Sequence, residues 1–259
     1  MLKVRVIPTL LWKDVGLVKG VRFDSWRRVG PVLPAITVYN SRDVDELILV
    51  DITASSDGRA PDHESVSDFA DACSVPLTVG GGIRTVAHIA ALLRAGADKI
   101  AVNTALYETA DVVDQAARQF GSQCVVASID VRRSGDGRHA CLSRSGTRDT
   151  GREPLDVARE VVERGAGEIL LTSVDRDGTM TGYDLDLIEQ VASVPVPVIA
   201  SGGAGNFGHM VAAVQRGASA VAAASMFHFT EQTPAGARAA LRDAGIPVRQ
   251  SLVTVAAHA

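Results

Sequence analysis

Pro76–Ala105 reads PLTVGGGIRTVAHIAALLRAGADKIAVNTA, and Pro197–Met226 reads PVIASGGAGNFGHMVAAVQRGASAVAAASM. A slide of 121 residues lays Pro76 on Pro197, Gly81 and Gly82 on Gly202 and Gly203, and Gly96 on Gly217. Each copy is a short apolar strand, a glycine turn, an amphipathic helix ending in Gly-Ala, and a second strand. An internal repeat of βα units implies parallel strands joined by helical crossovers. Glycine turns at strand ends bring backbone N–H groups close enough to hold phosphate, and two such turns suggest a ligand with a phosphate at each end.

Working outward, strands are expected near Val4–Leu11, Glu46–Asp51, Leu77–Gly80, Lys99–Asn103, Cys124–Asp130, Glu168–Ser173, Val198–Ser201 and Ala220–Ala224. Helices fit near Leu33–Ser41, Glu64–Cys73, Val86–Ala95, Ala110–Gln119, Pro154–Glu163, Leu185–Ala192, Phe207–Gln215 and Pro234–Ala244. Eight alternating pairs in 259 residues fit one α/β domain, a (β/α)₈ TIM barrel with a two-fold half-barrel repeat. An open doubly wound sheet is the alternative, but it does not call for half-and-half symmetry. The barrel is expected over residues 1–250, with 251–259 a flexible C-terminal tail.

The bulk numbers agree. Hydrophobic residues make up 46% and charged residues 22%, as in a globular chain with a large core. Aromatics are only 4%, so Val, Ile, Leu and Ala must build that core. A net charge of −4 argues against nucleic acid or a membrane surface as the main partner. The first strand begins almost at once, with no signal peptide, and no apolar run spans a bilayer. Cys73, Cys124 and Cys141 lack metal spacing; reduced thiols and a cytoplasmic setting are expected.

In such barrels the chemistry sits at the C-terminal ends of the strands. Those ends carry Asp51, Gly80–Gly82, Asn103–Thr104, Asp130, Thr172 to Gly178, Ser201–Gly203 and Ala224–Ser225. None of these groups but Arg176 is basic. The set suits phosphates held by backbone N–H groups, with carboxylates free for proton transfer. One Gly-Gly alone reads as a tight turn; glycine and hydroxyl ends at two symmetric places favour phosphate.

LVDITAS (Leu49–Ser55), TVGGGI (Thr78–Ile83), DKIAVNTA (Asp98–Ala105), FGSQ (Phe120–Gln123), GAGEILLTSVDRDGT (Gly165–Thr179), GYD (Gly182–Asp184) and IASGGAG (Ile199–Gly205) carry a resemblance. From the first strand to about Arg249 the chain resembles the cyclase subunit of imidazole glycerol phosphate synthase. The sister isomerase of histidine biosynthesis matches DRDGT and IASGGAG less well. The resemblance implies a barrel that takes ammonia from a separate glutaminase of the Cys-His-Glu type and uses it on a ribulosyl aminoimidazole nucleotide. It places Gly82, Asn103 and Thr104 at one phosphate, and Asp177, Gly178, Gly203, Ala224 and Ser225 at the other. Lys19, on the loop after the first strand, also matches, and Asp51, Thr172 and Ser201 stand among the substrate-side ends. Asp130 matches one of two catalytic aspartates acting as general acid and base; merely capping the next turn is its bland alternative. No cofactor and no metal are implied.

The second aspartate is missing. Its place at the end of the first strand is taken by Leu11, which cannot exchange a proton. Loss of such a group commonly costs about two to four orders of magnitude in rate. VIPTLLWKD (Val6–Asp14), YNSRDVDELI (Tyr39–Ile48) and DGTMTGYDLDLI (Asp177–Ile188) are similar to cyclase paralogues from surface-polysaccharide gene clusters. There such a leucine is usual, and ammonia is thought to pass to a third protein that makes an amidine on a sugar. Three outcomes stand open: a divergent ammonia-delivering subunit, a working cyclase, and a silent scaffold that activates the glutaminase.

At the opposite rim, Arg5, Glu46, Lys99 and Glu168 start the first, second, fourth and sixth strands. Two cations and two anions at one depth can close a salt-bridge ring; read alone, they can equally meet solvent. All four match the family's ammonia gate, and Asp98 matches a residue at its partner interface. Other features are weaker. DRDGT (Asp175–Thr179) opens like a calcium loop but lacks the twelfth-position glutamate. The six histidines show no paired metal spacing, and His228 in FHF reads as packed. Lys13, Lys19, Arg22, Arg27 and Arg28 make the loop after the first strand basic, either a solvated loop or a mobile lid.

Overall fold

The structure is a computed structural model that describes residues 3–14, 16–135 and 137–250. The expected tail at 251–259 lies outside the described residues. Eight parallel strands close on themselves: Arg5–Lys13, Leu47–Asp51, Leu77–Gly80, Lys99–Val102, Val125–Arg133, Glu168–Ser173, Val198–Ser201 and Ala220–Ala223. Pairing of the fifth strand with the sixth (Glu168 beside Val126) and of the eighth with the first (Arg5 beside Ala220) completes the ring. Closure excludes the open sheet. Helices follow every strand, and each long one buries an apolar stripe against the barrel wall, such as Ile89 and Leu92 or Met210 and Ala213.

Register shows how the two halves correspond. Ile100 pairs with Val125, and Val221, which lies 121 residues after Ile100, pairs with Val6. Val6 and Val125 are therefore equivalent, and five residues up each strand stand Leu11 and Asp130. On the second and sixth strands Leu47 pairs with Leu77 and Ile169 with Val198, which makes Glu46 the mate of Glu168. The glycine turns repeat for one reason. A Cβ at Gly81 would run into the Asp51 carbonyl, and one at Gly202 would lie 2.5 Å from the Ser173 carbonyl. Both glycines also have positive φ, +110° and +87°, which other residues adopt only with strain.

Three features depart from the sequence expectations. The basic stretch after the first strand is a hairpin, Gly16–Val21 with Asp24–Gly30, that continues the first strand antiparallel. A second hairpin, His139–Ser143 with Arg148–Asp149, extends the fifth strand in the same way. Short helices Thr104–Glu108 and Ser225–Phe229 follow the fourth and eighth strands, so Asn103 and Ala224 cap helices rather than end strands. The two helices are again 121 residues apart.

Inside the barrel, side chains alternate between core and lumen as strands require. Ile7, Ile48, Ala101, Val126, Leu170, Ile199, Ala220 and Ala222 form an apolar cluster across the lumen. The larger core lies between strands and helices.

Candidate functional site

A cavity opens at the C-terminal ends of the strands. Its wall includes Asp130, Lys19, Asp51, Gly82, Asn103, Thr104, Thr172, Asp177, Gly178, Ser201, Gly203, Ala224 and Ser225. Every substrate-side residue expected from the sequence is therefore brought to one place. Thr9, Leu11, Phe23, Trp26 and Ser128 line it too. Phe23 and Trp26 had no sequence signal, because they reach the mouth only once the first hairpin folds back.

Asp130 is buried, 8% exposed. Burial, and then the negative charge of Asp177, push its carboxyl up to about 7. A carboxyl at that value holds and releases a proton near neutrality, as a general acid or base must. Leu11, its structural mate, contributes only methyl groups.

Lys19 is not on a solvated loop. It sits on the inner strand of the first hairpin, 3% exposed, with Nζ 2.6 Å from Asp177 Oδ2. The hairpin tip is tied down by the Arg22 N–H, which donates to the Asp177 carbonyl at 2.8 Å. Arg27 stacks on Phe229, 3.4 Å from the ring centroid.

The glycine turns and the short helices converge at two places on the rim. Gly82 and Thr104, at the start of Thr104–Glu108, line the cavity, as do Gly203 and Ser225, at the start of Ser225–Phe229, their mates 121 residues on. Neither helix has a side-chain cap hydrogen bond, so no capping side chain takes up its first N–H groups. Some expected contacts are already committed. Asp51 accepts from Thr53 and Ala54 N–H at 3.0 and 2.9 Å, and Arg59 Nη1 lies 3.3 Å away. Asn103 Nδ2 donates to the Ser128 and Leu142 carbonyls at 3.0 and 3.1 Å, while its Oδ1 is buried without a partner among the described residues. Gly82 N–H donates to Ser55 Oγ, and Thr104 Oγ1 accepts from Arg144 N–H.

At the other rim the four charges do close a ring. Arg5 reaches Glu46 at 2.6 Å and Glu168 at 3.0 Å, and Lys99 reaches the same two at 2.8 and 3.1 Å. The acids are two-fold mates, whereas the cations come from unrelated positions on the first and fourth strands. The solvent-only reading of these charges is thereby displaced. Asp98, exposed beside Lys99, also accepts the Leu77 N–H at 2.8 Å, so it holds the rim as well. His228 is packed as expected: its Nδ1 faces the Tyr39 hydroxyl at 3.3 Å, and burial lowers it to about 4. The three cysteines are free, and no helix among the described residues is long and apolar enough to cross a membrane.

Comparison with known proteins finds relatives of this chain. The model of the family described as histidine biosynthesis protein matches residues 5–233. The chain is 51% identical over 251 residues to the imidazole glycerol phosphate synthase subunit HisF of Hyphomonas neptunium, covering 96% of this chain and 99% of that protein. It is 49% identical over 252 residues to the subunit HisF of Gluconacetobacter diazotrophicus, covering 97% and 98%, and equally identical to that of Caulobacter vibrioides.

Proposed function

This chain belongs to the histidine biosynthesis protein family, and from that premise we propose that it is the ammonia-using barrel of a two-chain glutamine amidotransferase. One observation carries the reading: a closed ring of four charges at one rim and, at the other end of the barrel, a buried Asp130 whose carboxyl is pushed up to about 7. A half-buried charge ring facing nothing costs stability, so a docked partner gives it a purpose. None of the three cysteines lies in a glycine-flanked nucleophile turn, so the glutaminase, of the Cys-His-Glu type, is a separate polypeptide.

In this reading ammonia enters past Arg5, Glu46, Lys99 and Glu168, with Asp98 at the interface. The substrate spans the mouth with one phosphate at Gly82, Asn103 and Thr104 and the other at Gly178, Gly203, Ala224 and Ser225. Lys19, held by Asp177, supplies the positive charge near that second end. Asp51, Thr172 and Ser201 shape the wall between them. Asp130 moves the proton as ammonia forms its new C–N bond.

Leu11 divides two versions of this function. Ring closure to an imidazole needs proton transfer on both sides of the substrate, and only Asp130 remains for it. We therefore place the chain with divergent subunits that deliver ammonia for amidine or related C–N bond formation. The likeness to HisF-named relatives, 49–51% identical over 96–97% of this chain, favours the standard cyclase as the second reading. Turnover of the ribulosyl aminoimidazole nucleotide with added ammonium separates them. A rate within about tenfold of an ordinary cyclase would restore the cyclase reading, since losing an acid or base costs ~10²-fold or more.

A further inference from the structure

Resting on the reading that the mouth holds a phosphorylated substrate, we propose that the indole of Trp26 is the stacking platform for a planar heteroaromatic ring of that substrate, so that the site prefers nucleotides to plain sugar phosphates. The chain has two tryptophans, and they are placed very differently. Trp12 is 7% exposed, packs edge-on to Phe69 with ring centroids 5.3 Å apart, and donates its Nε1–H to the Asp14 carbonyl at 2.7 Å. Trp26 lines the cavity and is only partly buried, and its Nε1–H has no hydrogen-bond partner among the described residues. An indole that packs into a core buries its faces and pairs its N–H; this one keeps both for a guest.

The first hairpin holds the ring in place. Gly20 is its seat: a Cβ there would lie 2.8 Å from Trp26 Cε3, so the ring packs on bare backbone. The same stretch of backbone lies against Gly178, where a Cβ would come within 2.9 Å of the Val21 Cα. Lys19 on Asp177, and the Arg22 N–H on the Asp177 carbonyl, pin it there. Arg27, the next residue after Trp26, stacks on Phe229 at the end of the helix that begins at Ser225. Trp26 is therefore fixed at the Gly178 and Ser225 end of the mouth. Phe23, the other aromatic of the hairpin, is seated elsewhere, on Gly146 in the turn of the second hairpin, where a Cβ would lie 2.8 Å from its Cδ2.

The cavity wall at that end is otherwise glycine and alanine, with Gly202, Gly203, Ala223 and Ala224. Small groups leave room beside the indole for a flat ring, and offset or edge contact with another π-system is what an indole favours. Because the hairpin holds the ring before a guest arrives, little side-chain freedom is lost on binding. Losing one base–aromatic stack costs about tenfold in affinity. A phosphate at the strand end and a ring on Trp26 are the two halves of a nucleotide. A sugar phosphate without a base fills only the first.

The test uses the whole chain with ¹⁵N-labelled tryptophan, which gives two indole N–H signals. That of Trp26 is assigned by its loss from Trp26→Leu, or by elimination from Trp12→Phe. The probes are aminoimidazole carboxamide ribotide and ribose 5-phosphate, which lacks the ring. The ribotide should move the Trp26 signal saturably, leave the Trp12 signal in place, and bind about tenfold tighter than ribose 5-phosphate by calorimetry. Trp26→Leu should erase that difference by weakening the ribotide alone, and Trp26→Phe, which keeps a flat ring, should restore most of it. No binding of the ribotide, an unmoved Trp26 signal, or equal affinity of the unmodified chain for both probes overturns the platform whether or not a variant folds. Equal weakening of both probes by Trp26→Leu overturns it too, since a support for the hairpin would act on both. A glutaminase that docks while Trp26 stays silent removes the platform alone. A responsive Trp26 with no glutaminase partner keeps the platform and removes the amidotransferase reading.

Discussion

Leu11 and Asp130 stand at the same place in the two halves of the barrel, each five residues beyond a valine fixed by equivalent strand pairing. Both side chains line one cavity. At one of the two symmetric positions stands a carboxyl pushed up to about 7, and at the other an alkyl group.

Leu11→Asp should then raise turnover of the standard cyclase nucleotide with ammonium by ~10²-fold or more. Adding Asp130→Asn should cancel the gain. If Leu11→Asp changes nothing while the protein stays folded, the hairpin walls Phe23 and Trp26, rather than the missing carboxylate, limit the chemistry.

Asp130 should make the fold less stable at higher pH. Its folded value, about 7, lies above its unfolded one, so the folded state holds the proton more tightly. The contribution is whole below about pH 4 and is lost as pH rises through about 7. Urea unfolding of the unmodified chain against Asp130→Asn should show the variant gaining ground across that window, by roughly 4 kcal/mol at most. Parallel pH profiles would mean that Asp130 titrates normally.

Lys19 and Asp177 are buried 2.6 Å apart. Lys19→Met leaves Asp177 charged and alone, which should cost about 3 kcal/mol of stability. Asp177→Asn should instead bring the Asp130 carboxyl part of the way down, because burial, the larger cause, stays while the neighbouring charge is gone. Carboxyl ¹³C shifts of Asp130 followed over pH would read this directly; an unmoved midpoint would leave burial as the sole cause.

Two symmetric anion sites should bind a sugar bisphosphate far better than either monophosphate fragment, because the second contact becomes intramolecular. Calorimetry with the three compounds checks it. Equal affinities would show that one end, Gly82 with Thr104 or Gly203 with Ser225, holds nothing.

The barrel was legible because its signal is long-range: glycines at fixed offset report backbone positions that tolerate no Cβ, and β-branched runs report buried strands. The cavity residues followed, since strand ends are the first thing such a pattern locates. The short helices at Thr104 and Ser225 were missed because five residues show no helical period. Only the repeat itself could have flagged them. The first hairpin escaped because Arg22, Phe23 and Ser25 take positive φ without the glycines that usually announce a turn. For the same reason Lys19 looked solvated, although folding buries it against Asp177.

The most direct measurement is glutamine hydrolysis by a Cys-His-Glu glutaminase from the same cells, assayed with and without this barrel. A heterodimer should form, and hydrolysis should rise severalfold when a two-phosphate ligand fills the barrel. Lys99→Met or Asp98→Lys should abolish glutamine-driven amination while sparing activity with ammonium salt. A barrel that binds no glutaminase, or variants that lose both activities equally, would contradict ammonia delivery through the ring of Arg5, Glu46, Lys99 and Glu168.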